Sequence, residues 1–94
     1  MTNLPTVELL ENAYHFPTEY MFKVIGKSDQ GFLARAIAAV REELKLDVDP
    51  PCQSRDAVGG RHISVTLQPT VASPAQIIAV YQRLAALNGL VMLL

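Results

Sequence analysis

The chain has 94 residues, half of them hydrophobic and 18% charged, with a formal net charge of −1. That length sets one domain with a thin but real core, and a charge share below the usual ~25% leaves apolar surface over for a partner. The near-neutral balance excludes the basic field that attracts nucleic acid or an anionic membrane. The single cysteine, Cys52, excludes an internal disulfide, and no apolar run reaches the ~20 residues of a membrane span.

Residues 1–18 read as an N-terminal extension, in which "VELLENAY", bracketed by Pro5 and Pro17, carries at most a helical turn. It has neither the basic start nor the apolar run of a signal peptide, so a cytoplasmic protein is expected, in keeping with one unpaired thiol. The domain proper is expected over 19–94. "EYMFKVI", residues 19–25, is a strand rich in aromatic and β-branched residues. Alternation puts Tyr20, Phe22 and Val24 on one face and Met21, Lys23 and Ile25 on the other. Lys23 needs water, so the first set faces the core.

Gly26 is expected to end that strand, and Ser28 or Asp29 to cap the following helix by accepting backbone N–H bonds. Phe32, Leu33, Ala36, Ile37, Val40 and Leu44 recur at helical spacing. The helix should fade near Leu46, because Asp49 precedes a proline and is pushed toward extended geometry. Pro50 and Pro51 cannot donate to a central ladder, so the strand that follows belongs on a sheet edge. Gly59-Gly60 suits a hairpin turn at positive φ. In "RHISVTLQ", residues 61–68, Ile63, Val65 and Leu67 face one way and His62, Ser64, Thr66 and Gln68 the other, which predicts one buried and one wet face. Ser73-Pro74-Ala75-Gln76 places a cap, a first-position proline and a capping-box glutamine in order. Ile77, Ile78, Tyr81, Leu84 and Leu87 make the apolar stripe, Asn88-Gly89 stops the helix, and "LVMLL" closes the chain as a strand.

The order is β-α-β-β-α-β: an α+β, ferredoxin-like two-layer sandwich, with both helices on one face of an antiparallel sheet of order 4-1-3-2. The proline-bearing second strand then falls on an edge, as its prolines require. The expected core is Phe22, Val24, Leu33, Ile37, Val40, Ile63, Val65, Leu67, Ile77, Tyr81 and Leu84.

Chemistry-bearing residues are sparse. His15, His62 and Cys52 lack zinc spacing, and no orienting third group accompanies them. Glu42, Glu43, Asp47 and Asp49 lack the ligand loop of a Ca²⁺ site and read as solvated. No metal or other cofactor is expected. RNA-recognition domains of the same topology stack bases on aromatics of the two central strands. Here those strands offer Met21, Lys23 and Ile25 with His62, Ser64 and Thr66, and no aromatic platform.

Leu9-Leu10-Glu11, Phe16-Pro17, "FKVIG" at 22–26 and Ser64-Val65-Thr66, in that order and spacing, are carried by a chain that resembles the YbeD-like family of small bacterial proteins. Four residues, "NAYH", stand inserted between the first two motifs. The resemblance implies a ferredoxin-like fold similar to ACT regulatory domains and carries over no catalytic residue. Asp29 and Gly31 also match the first loop of ACT domains, where a glycine lets an amino acid approach backbone N–H groups. Asp29, Gln30 and Gly31 are therefore the candidate small-ligand turn, against the alternative of a simple helix cap. The functional expectation is a non-enzymatic regulatory or adaptor module acting through protein contact, with a protein partner or a homodimer along the C-terminal strand; the rival of similar weight is that the N-terminal segment covers that strand. The alternatives are a small enzyme or an RNA-binding module on the same fold.

Overall fold

The computed structural model describes residues 4–94. Its elements run α1 (Val7–Ala13), β1 (Thr18–Glu19), β2 (Phe22–Lys27), α2 (Phe32–Leu44), β3 (Cys52–Asp56), β4 (His62–Leu67), β5 (Thr70–Val71), α3 (Pro74–Ala85) and β6 (Leu90–Leu93). β2, α2, β3, β4, α3 and β6 form the expected β-α-β-β-α-β unit. Their sheet is antiparallel, with spatial order β3-β4-β2-β6, the 4-1-3-2 arrangement read from the sequence.

The pleat assigns faces as alternation predicts. Phe22 pairs with Leu67 and Val24 with Val65, and all four are buried. Lys23 pairs with Thr66 and Ile25 with Ser64 on the opposite face. The two long helices pack against each other above the first face. Phe32, Ala36, Ala39 and Val40 of α2 and Ile77, Val80, Tyr81 and Leu84 of α3 close one core with the sheet. Leu33, Ile37 and Ile63, expected at its centre, are only partly buried. Ala39 of α2 and Val80 of α3 are buried in the core instead.

Three local expectations are corrected. Gly26 does not end the first strand. β2 runs on to Lys27, and Gly26 is a buried strand residue beneath the Phe32 ring. Neither Ser28 nor Asp29 caps α2: the cap residue is Gly31, at φ 72°, with no side-chain hydrogen bond. The Ser28 hydroxyl instead donates across the turn to the Gly60 carbonyl. Finally, residues 7–13 form a helix, with the Thr6 hydroxyl accepting from Leu9 N–H at 3.2 Å. Buried Leu10 joins the main core, and α1 lies against α3.

α3 begins as expected. The Ser73 hydroxyl accepts from Gln76 N–H at 3.4 Å, and Gln76 Oε1 accepts from Ala72 N–H at 2.7 Å. The glutamine thus reaches one residue further back than in an ordinary capping box. Arg83 of α3 donates to Glu42 at 3.2 Å and Glu43 at 3.0 Å of α2, tying the helices together.

Five aromatic rings, Tyr14, Phe16, Tyr20, Phe22 and Tyr81, connect the N-terminal segment to the core. Tyr14 meets Tyr20 edge-on at 5.4 Å between centroids; Tyr20 and Phe22 both pack on Tyr81, at 6.0 and 5.0 Å. The Tyr20 and Tyr81 hydroxyls share a hydrogen bond of 3.0 Å. Burial first, then the bond to Tyr20, raises the Tyr81 pKa well above its ordinary value. An acid whose folded pKa is raised favours the fold fully below its unfolded value, about 10 for tyrosine. Above that the unfolded chain ionises first, and stability falls until the folded group also titrates. Denaturant melts from about pH 8 to 11 should show this alkaline decline, and Tyr81→Phe should flatten it. An unchanged slope in the variant would assign the decline to other groups.

Candidate functional site

The residues with catalytic potential are kept apart. Cys52 opens β3 opposite Leu67, whereas His62 opens β4 at its other end. Five residues of strand separate those rows, about 17 Å. His15 lies exposed between α1 and β1. Burial, and secondarily the Asp49 carboxylate, pushes the Cys52 thiol up from its ordinary pKa, which disfavours the nucleophilic thiolate. Among the described residues no group of three His, Cys, Asp or Glu side chains is placed to hold a metal ion. The acidic residues near the end of α2 are in part ion-paired: Glu42 and Glu43 with Arg83, and Asp49 with Arg41 at 3.3 Å.

Asp29, Gln30 and Gly31 form an exposed turn between β2 and α2. Gln30 and Gly31 both have positive φ, 56° and 72°. Arg35 holds the turn from the first coil of α2. Its Nε donates to the Gln30 carbonyl at 3.2 Å, and its Nη1 donates to the Asn88 carbonyl at 2.7 Å. The guanidinium also lies over the Phe32 ring, 5.8 Å from its centroid. This clamp binds the loop before α2 to the loop before β6. In the sequence Arg35 lies off the apolar stripe of the helix, and nothing local distinguished it from a solvated charge. Apart from Gly31 and its two chain neighbours, no atom lies within 4 Å of the position a Gly31 Cβ would occupy, so the turn is open at that point.

The C-terminal strand presents the other feature. Among the described residues β6 pairs only with β2, through Val24–Leu93, Ile25–Met92 and Gly26–Leu90, and no described strand lies on its far side. A bulge falls between Ile25 and Gly26. Leu90 and Leu93 are partly buried against the core, while Val91, Met92 and Leu94 remain about half exposed, at 50%, 48% and 54%. Sheet edges are ordinarily blunted by charge, proline or a covering element. This one bears three apolar side chains and no charge.

Residues 11–94 match the family described as "Protein of unknown function (DUF493)". The chain belongs to the DUF493 family. The YbeD-like resemblance read from the sequence motifs therefore holds. DUF493 relatives include the UPF0250 protein of Shewanella amazonensis, 34% identical over 74 residues, covering 79% of this chain and 82% of that one. A UPF0250 protein of Shewanella sp. strain ANA-3 is 32% identical over 89 residues, covering 95% and 94%. The solution structure of HP0495 from H. pylori superposes with a TM-score of 0.62 at 12% identity, over 99% of this chain and 98% of that one. At that identity the likeness shows the fold alone. No helix among the described residues of this DUF493 chain is long and apolar enough to cross a membrane.

Proposed function

We propose that the protein is a non-enzymatic contact module that joins a second copy of itself through β6. The observation that carries this reading is the uncharged apolar edge formed by Val91, Met92 and Leu94. Two such edges, brought antiparallel about a two-fold axis, satisfy each other's free backbone groups and bury like side chains against like. The result is a continuous sheet of eight strands. The separation of His62 from Cys52 and the suppressed thiolate support the non-enzymatic half of the proposal. A regulatory small ligand at Asp29, Gln30 and Gly31 is a subordinate part. The uncapped start of α2 offers N–H groups to a carboxylate, but the open turn supplies no enclosing wall.

Light scattering across a concentration series tests the edge. The wild-type chain should show twice the monomer mass, and Val91→Lys, which sets like charges against each other across the two-fold, should return it to monomer with its fold intact. A wild-type chain that stays monomeric at the highest concentrations would overturn the proposal.

A further inference from the structure

The face of the sheet away from the helices is bare, and its charge differs from that of the whole molecule. Its outward positions follow from the register. Gln53, Thr66 and Lys23 lie in one row, Arg55, Ser64, Ile25 and Met92 in the next, and His62 and Lys27 in a third. No carboxylate occupies an outward position on any of the four strands. Asp56, at the end of β3, pairs with Ile63 and so takes the opposite side of the pleat, although it borders a second hollow beside Arg55 and His62. Yet the whole chain is slightly acidic. Lys23, Lys27 and Arg55 stand outside every ion pair found among the described residues, all of which use Arg41 or Arg83. Between Lys23 and Arg55 lies an open hollow of about 450 Å³, floored by Ile25, Ser64 and Thr66 and flanked by Gln53.

We infer that this face is a docking surface for an acidic polypeptide segment that alternates carboxylates with apolar side chains. The charge sets the first requirement: three unpaired cations with no carboxylate among them attract an anionic partner. Spacing sets the second. Lys23 and Arg55 stand two strands and two residues apart, about 12 Å between Cα positions, a separation suited to successive carboxylates along a polymer. The third comes from the β6 side, where Ile25 and half-exposed Met92 adjoin the cations. A polypeptide supplies apolar side chains to cover them, and a phosphate backbone does not. Nucleic acid is further disfavoured because no Phe, Tyr or Trp occupies an outward position on β2 or β4; the lone ring there is the His62 imidazole at the end of β4, short of the platform of two or three stacked bases. This surface borders the edge of β6 at Met92, but its cations Lys23, Lys27 and Arg55 lie on the other strands, so either one can fail without the other.

Amide NMR of the isotope-labelled full chain tests it with three probes: a short peptide of repeated Glu-Leu-Glu-Ala, the same peptide with lysine for glutamate, and oligouridylate. The acidic peptide should give saturable shifts at Lys23, Ile25, Arg55, Ser64 and Thr66, in wild type and in Val91→Lys alike. Binding should weaken about tenfold or more in Lys23→Glu/Arg55→Glu, whose own spectrum reports its fold. If that pair unfolds, Lys23→Gln alone and a rise in salt should each weaken binding. Silence at these amides, or equal binding of the lysine peptide, would overturn the inference. Tighter binding of oligouridylate on the same residues would also overturn it, making the face a nucleic-acid surface.

Discussion

Leu84→Ala should lower the unfolding free energy by ~2–5 kcal/mol, measured as a drop in the denaturant midpoint at unchanged slope. Leu84 lies on α3, fully buried, in the single core that joins both helices to the sheet. Its removal takes away the transfer free energy of a buried leucine, ~1.5–3 kcal/mol, and leaves a cavity in a layer whose neighbours cannot collapse freely. Leu33→Ala supplies the comparison. Leu33 is on the apolar stripe of α2 but only partly buried, so water and neighbouring side chains fill much of the space. Its loss should cost clearly less than that of Leu84. Equal losses at both positions would mean that the helices pack otherwise than described.

The same contrast shows how far the sequence could be read. Topology was legible because several signals agreed: alternation in 61–68, helical spacing in 32–44 and 74–85, and prolines that forced β3 to an edge. Depth within the core was less legible. Leu33 and Ala39 both lie near the buried side of α2, and periodicity favours the larger residue. The close approach of α2 to α3 favours the smaller. The paired segments β1 and β5, two residues each, are too short to show a period. The candidate turn was legible as a turn but not in its capping. Ser28 stands where a helix cap is expected, and only the fold reveals Gly60 across from it as the competing acceptor. The cationic sheet face escaped notice for a similar reason. Arg55 and Lys23 lie 32 positions apart in the chain, and only the register of β3, β4 and β2 sets them around one hollow.

Gly26→Ala should destabilise the protein by about 1–3 kcal/mol through overpacking, although the substitution adds a single methyl group. Glycine in a strand interior ordinarily weakens it, so alanine would be expected to help. Here a Cβ on Gly26 would stand 2.4–2.5 Å from the Cζ and Cε atoms of Phe32, well inside contact distance. The far end of a side chain can often swing aside, but Phe32 is 1% exposed, and the Arg35 guanidinium lies over its ring. The ring can move only by disturbing the clamp that joins the loops before α2 and β6. The glycine is therefore the floor of the Phe32 pocket. Shortening the ring tests this directly. Phe32→Leu alone should be destabilising through lost volume, but in its background Gly26→Ala should cost much less than it does in the wild type. Such non-additivity is the mark of two groups competing for one space. Additive losses in the double variant would show that Gly26 serves the backbone of β2, at its bulge against β6, rather than the ring above it.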